Sequence, residues 1–235
     1  RFENDRHIHF SPKQRQAIVA ALEQGVLVIT GGPGTGKTTI INCIIRLLAK
    51  EGEVQLCAPT GRAAKRMTEA TGYEAKTIHR LLEYVPGEGF LRNADDPLYV
   101  DMVIVDEMSM VDAMLMNALL KAVSLGTRLI LVGDADQLPS VGAGDVLRDI
   151  ISSETIRVVR LDEIFRQAQS SMIVTNAHRI NEGATPLLDV PESDFLFEDV
   201  ASQDRILERI LHICTHPGQV LDTREPLLDV QILAP

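Results

Sequence analysis

Apolar runs rich in β-branched residues recur at positions 26–30, 54–58, 102–105, 128–132 and 156–161. Short apolar runs of this kind fit strands covered on both faces. Between them, apolar residues return at helical spacing. The clearest case comes first: Ser11 is a good N-cap, Pro12 suits the first helical position, Ala17, Ile18, Ala21 and Leu22 share a face, and Gly25 ends the helix. Further helices are expected near 36–50, 60–71, 112–123, 143–151 and 170–181. Strands alternating with helices predict an α/β fold, a parallel sheet with helices on both faces.

Two regions break the rhythm. Residues 83–100 are rich in turn formers (Pro86, Gly87, Gly89, Asn93, Pro97), which fits a small projecting hairpin, with a plain surface loop as the alternative. From about residue 185 a proline-bearing link leads to an expected strand at 194–200, a helix at 203–214 and a strand at 229–234. The expected organisation is therefore a first domain at 1–189 carrying the 83–100 insert, then the start of an incomplete second domain at 190–235. The chain opens on Arg1 rather than Met and stops after an expected strand, so both ends read as cuts in a longer protein.

Composition narrows the setting. With 235 residues, 45% of them hydrophobic, the chain can bury a full core. Cys43, Cys57 and Cys214 are odd in number and scattered in apolar runs, which argues against a disulfide framework or a paired-cysteine metal site and for a reduced, cytoplasmic setting. No apolar stretch approaches the roughly 20 residues of a membrane helix, so no membrane partner is expected. A net charge of −10 argues against broad adhesion to nucleic acid. Any such contact must be local.

The strongest chemical signal is Gly31-Gly32-Pro33-Gly34-Thr35-Gly36-Lys37-Thr38, followed by Thr39, between an expected strand and an expected helix. Glycines let the backbone fold close around phosphate, and successive amides together with a helix N-terminus turn positive ends toward the anion. Lys37 would reach the β- and γ-phosphates of ATP, and the Thr38 hydroxyl would join a Mg²⁺ shell. The run 102–105 then delivers Asp106 and Glu107 at a strand end, where ligand sites gather in open α/β sheets. Asp106 would hold Mg²⁺ through water, and Glu107 would orient and deprotonate an attacking water. Alone, such a pair is as readily an acidic helix start. After the next strand comes Gly133-Asp134-Ala135-Asp136-Gln137-Leu138-Pro139, where Gln137 can bond to a γ-phosphate and shift a loop in response.

In this order the motifs resemble those of superfamily 1 helicases, and within them the RecD-like branch that includes the exonuclease V alpha subunit. GGPGTGKTT is similar to helicase motif I, APTGRAAKRM (58–67) to motif Ia, and TIHRLL (77–82) to the adjoining DNA-contact motif. DEMSMVD (106–112) resembles motif II, GDADQLPSVGAGDVL (133–147) motif III, and IFRQ (164–167) motif IV. The resemblance implies a P-loop NTPase of RecA-like fold, followed by a second, truncated RecA-like domain. It further implies an ATP-dependent DNA helicase that moves 5′ to 3′ on single-stranded DNA, opens duplex junctions in DNA recombination or repair, and has possible partners in a nuclease/helicase complex.

The resemblance also assigns single residues. Gln14 would contact the adenine base, against a bland reading as an exposed polar residue on a helix. Arg166 would reach the γ-phosphate, against a surface ion pair with Asp162 or Glu163. Pro59, Thr60, Gly61 and Arg62, with Thr77 and His79, would line a single-stranded DNA track, while Lys65 and Arg66 are read as a solvated helix face. The insert stands where RecD-like helicases carry a pin that splits the duplex. The later motifs, including the second domain's ATP-facing arginine, do not occur in these residues, so the chain by itself is expected to bind ATP and turn it over poorly. Two rival readings stay open: a P-loop ATPase acting as a switch or protein remodeller, and a noncatalytic binding subunit. Intact Lys37, Asp106 and Glu107 speak against the second.

Overall fold

A computed structural model describes residues 8–49, 52–163, 170–216 and 230–233. The chain divides into two compact units, Arg1–Pro186 and Leu187–Pro235.

The first unit opens with α1 (Pro12–Glu23). Ser11 and Gln14 close a capping box around its N-terminus, with Pro12 at the first helical position. There follow β1 (Val26–Gly31), α2 (Lys37–Leu48), β2 (Val54–Ala58), α3 (Gly61–Thr71), β3 (Ala75–Thr77) and the single turn α4 (Ile78–Leu81). The insert supplies β4 (Tyr84–Val85) and β5 (Gly89–Phe90). Then come β6 (Met102–Val105), a 3-10 turn (Met108–Met110), α5 (Ala113–Ala122), β7 (Arg128–Gly133), α6 (Val146–Ser152), β8 (Arg157–Leu161) and α7 (Met172–Asn181).

Six strands form one sheet in the order β3-β2-β6-β7-β1-β8, every neighbouring pair parallel. Because side chains alternate across a strand, each strand feeds two cores. Leu27, Ile29, Leu56, Ile104, Ile130 and Val132 point to the face covered by α1 and α2. Val28, Cys57, Val103, Val105, Leu129 and Leu131 point to the other, covered by α4, α5 and α6. Helices on both faces are thus the observed arrangement. Complete burial also pushes the Cys57 thiol up to about 12, so it serves as packing.

The 83–100 segment does form a hairpin: Tyr84 pairs with Phe90 and Val85 with Gly89, antiparallel. Its turn places Gly87 and Gly89 at φ 91° and 93°, a region open to glycine at little cost. Arg92 holds the base by bonding Glu83 and Asp96, each at 3.0 Å.

Other expectations need correction. The strand β3 escaped the sequence pattern because it is three half-buried residues with a lysine in the middle. The helix expected from 143 starts at Val146, since Gly144 takes φ 91° and Asp145 ends the loop. In the second unit, α8 (Gln203–Thr215) forms under a Ser202 cap. The strands expected at 194–200 and 229–234 do not form among the described residues. An extended segment becomes a strand only when a neighbouring strand pairs with it along its length, so apolar composition alone does not make one.

Candidate functional site

In a sheet whose strands all run one way, every C-terminal strand end lies on the same edge. On that edge β7 stands between β1 and β6, so the glycine loop, the Gln137 loop and the carboxylate pair follow three adjacent strands.

The glycine loop runs from Gly31 to Gly36 and enters α2 at Lys37. Gly34 and Gly36 have φ of 75° and 83°, which keeps the turn open only to residues without a Cβ penalty. Lys37 Nζ donates to the carbonyls of Gly31 (2.6 Å) and Gly32 (3.0 Å), and Thr35 Oγ1 donates to Gly32 O at 2.8 Å. Thr38 is exposed and Thr39 half-buried on the first turn of α2. Loop carbonyls are thus held by side chains. Since a trans peptide sets its C=O and N–H on opposite sides, the Gly32 N–H paired with the Gly31 carbonyl faces the other way, while the Gly32 carbonyl precedes Pro33, which has no N–H.

Gln14 departs from the bland expectation. It is 1% exposed, its Nε2 donates to Thr35 O at 2.9 Å, and its Oε1 accepts from Ser11 N at 2.9 Å. The residue is a strut from α1 to the loop, and it meets a base only by adding to or exchanging one of these bonds.

Asp106 follows β6, and its backbone N–H donates to Cys57 O of β2 at 2.9 Å. Its carboxylate accepts from Glu107 N at 2.9 Å. Burial pushes the Asp106 carboxyl up to about 6, Glu107 adds repulsion, and the Glu107 amide, Lys37 and Arg66 pull back. Arg66 is exposed on α3, as expected of a solvated face, and adds a small attraction for the Asp106 charge. Glu107 adopts φ 56° and ψ 43°, a left-handed conformation that is uncommon for a residue with a Cβ and is often found at functional sites.

Gln137 is exposed, with Nε2 3.5 Å from Asp134 Oδ2 and Oε1 accepting from Ser109 Oγ at 3.3 Å. Ser109 lies in the 3-10 turn that follows Glu107, so the carboxamide spans the second and third motifs. Behind it, Thr30 of β1 accepts from Ala135 N at 3.1 Å, tying the Gln137 loop to the strand that carries the glycine loop. His178 of α7 also reaches the glycine loop, with Nε2 3.1 Å from Pro33 O. Ser109, Thr30 and His178 were absent from the sequence expectations. Arg166 lies outside the described residues.

The other expected residues lie on the same edge at β2 and β3, which pair Ala58 with Thr77. Thr60 caps α3, its hydroxyl accepting from Ala63 N at 3.2 Å, and Thr77 caps α4, accepting from Arg80 N at 3.1 Å. Each hydroxyl keeps its own proton to donate. Pro59 is half-buried, while Gly61 and Arg62 are exposed on the first turn of α3. His79 is exposed and packs against Tyr84 and Phe90 of the hairpin, ring centroids 5.6 and 5.5 Å away. It therefore joins the β3 end to the insert.

Among the described residues no helix is long and apolar enough to cross a membrane.

A profile of the AAA domain family matches residues 9–199. The ATP-dependent RecD2 DNA helicase of Deinococcus radiodurans is 46% identical over 162 residues, 68% of this chain and 22% of that protein. The RecBCD enzyme subunit RecD of Mycobacterium tuberculosis is 44% identical over 169 residues, 62% of this chain and 29% of that protein. The chain thus spans less than a third of the length of either relative. Among solved structures, the Pif1 helicase from Candida albicans superposes with a TM-score of 0.59 at 27% identity, covering 79% of this chain and 50% of that one. The Bacteroides Pif1 helicase in complex with ADP-AlF3 and ssDNA shares the fold, with a TM-score of 0.55 at 20% identity over 92% of this chain and 58% of that one. The family match over residues 9–199 shows that the chain belongs to the AAA domain family, and its sequence is similar to RecD-type helicases.

Proposed function

We propose that this chain is the first RecA-like motor domain of an ATP-dependent DNA helicase that moves 5′ to 3′ on single-stranded DNA and opens duplex junctions. The observation that carries the reading is the shared sheet edge, with phosphate-loop and carboxylate motifs on β1, β7 and β6 and two threonine-capped helix starts on β2 and β3. The hydrogen bond from Asp106 N to Cys57 O joins the two groups at the β6–β2 boundary.

In this reading residues 32–39 bind the phosphates, through the Lys37 side chain and the backbone N–H groups of every residue but Pro33. The donors fit: two left-handed glycines open the loop, and α2 presents its N-terminus to it. Thr38 and Asp106 would hold Mg²⁺, which neutralises phosphate charge during transfer. A buried carboxylate whose charge is disfavoured suits a cation, because the cation restores that charge. Glu107 orients and deprotonates the attacking water, and Gln137 and Arg166 bond to the γ-phosphate. Gln14 contacts the adenine with the second Nε2 proton, keeping its bond to Thr35 O.

Thr60, Arg62, Thr77 and His79, with Pro59 and Gly61, form the track for the DNA backbone, and the hairpin meets the junction. The second unit begins the second RecA-like domain. The name of the RecD relative as a RecBCD subunit supports recombination or repair within a nuclease/helicase complex, and the scattered thiols support a cytoplasmic setting. The test is strand displacement by the full-length protein with ATP and Mg²⁺. Duplexes with a 5′ single-stranded tail should open at least tenfold faster than those with a 3′ tail. Equal opening of both removes the directional claim, and opening of neither removes the helicase reading in favour of a switch or remodeller.

A further inference from the structure

His178 lies far in sequence from the glycine loop, yet it touches the phosphate loop. Its Nε2 is 3.1 Å from Pro33 O. A carbonyl oxygen only accepts, so Nε2 carries the proton and donates. The contact depends on the neighbouring glycine: a Cβ at Gly32 would lie 2.7 Å from His178 Cε1. Gly32 therefore serves the approach of this ring as well as the approach of phosphate.

The bond has a directional consequence. In a trans peptide, fixing the Pro33 carbonyl toward α7 turns the Gly34 N–H to the opposite side. Gln14 does the same one turn of the loop later, holding Thr35 O and so orienting the Gly36 N–H. Without these two holds, the two glycine amides would rotate among many conformers and lose order on binding.

The helix that carries His178 is itself fastened to the chain that leaves the first unit. Asn176 is buried at 1% exposure, and Arg179 Nε donates to Thr185 O at 2.9 Å. Ala184 N also donates to Arg179 O at 2.7 Å. Phosphate loop, His178, α7 and the 182–186 segment thus form one continuous set of contacts.

We propose that His178 is a positioning residue that presets the Gly34 amide for phosphate and carries the state of the loop to α7 and the segment leading to the second unit. The proposal rests on the reading of the loop as a nucleotide site. Its test is a titration of the chain with a fluorescent ADP in Mg²⁺, on the wild type and on His178→Ala, His178→Phe and His178→Gln. Phenylalanine keeps a ring without the donor, and glutamine keeps a donor without the ring.

Loss of one net hydrogen bond predicts roughly fivefold weaker binding for the alanine and phenylalanine variants. Glutamine should stay within about twofold of wild type. Amide exchange read alongside should show nucleotide slowing exchange across residues 172–181 in wild type and the glutamine variant, and failing to do so in the phenylalanine variant. If alanine unfolds the chain, the phenylalanine and glutamine pair decides. Unchanged affinity in the phenylalanine variant, or equal loss in phenylalanine and glutamine, overturns the proposal. A wild type that binds no ADP overturns the nucleotide site itself.

Discussion

Asp106 sits where burial opposes its charge. Its carboxyl is raised from 3.8 to about 6, so the folded chain holds the proton more tightly than the unfolded one. Below about pH 4 both states are protonated and nothing is lost. Across the window from 4 to 6 the unfolded state gives up its proton first, and above 6 the folded state carries the full cost of the charge. That cost is at most about 3 kcal/mol. In EDTA, Asp106→Asn should therefore stabilise the nucleotide-free chain at pH 7.5 by up to this amount, and the gain should vanish near pH 4. Chemical denaturation at the two pH values measures it. A variant less stable than wild type at pH 7.5 would show that Asp106 is held by interactions stronger than its desolvation.

The same scale shows what sequence can reveal. Lys37 and Asp106 were legible because local spacing defines them: a loop between strand and helix, and a carboxylate at the end of an apolar run. Gln14, Ser109 and His178 were not legible in the roles they take. Their partners lie 21, 28 and 145 positions away, and no local pattern encodes a contact made by the path of the chain.

At the scale of elements, the central strands announced themselves by unbroken apolar runs because both faces are buried. The edge strand β3 has no such run, and the tail segments had strand-like composition yet form no strand among the described residues. A β signal marks a surface that fits a sheet, and the neighbour decides whether a sheet forms. The helix caps carry a different kind of information. Thr60 accepts the Ala63 amide and starts α3 beside Arg62, so one residue supports both the helix and the proposed DNA track.

These two roles separate by mutation. Thr60→Ala removes the cap and should lower stability by about 1 kcal/mol. Thr60→Asp keeps a capping oxygen and so should retain most of that stability, yet it places a negative charge where DNA phosphate is proposed to lie. Denaturation with single-stranded DNA titration of the full-length protein should show the aspartate variant folded but binding at least tenfold more weakly. Wild-type affinity in that variant would move the DNA track away from α3.

For the whole molecule, the net charge of −10 and the single crowded sheet edge belong together. An acidic protein would hold DNA through a few local donors, and the proposed ones stand beside the proposed nucleotide motifs. The strand order makes this inevitable once the sheet is parallel, and the backbone bond between Asp106 and Cys57 makes the two groups neighbours. Such contiguity gives nucleotide and DNA a means of biasing one another, provided that both occupy the edge.

Steady-state ATP hydrolysis by the full-length protein, with and without saturating single-stranded DNA, tests this most directly. DNA should raise kcat at least tenfold in wild type, and Lys37→Ala should abolish both basal and stimulated turnover while leaving the fold intact. Turnover that is robust and indifferent to DNA would contradict a shared edge that couples the two ligands, and would leave a nucleotide site serving some other partner.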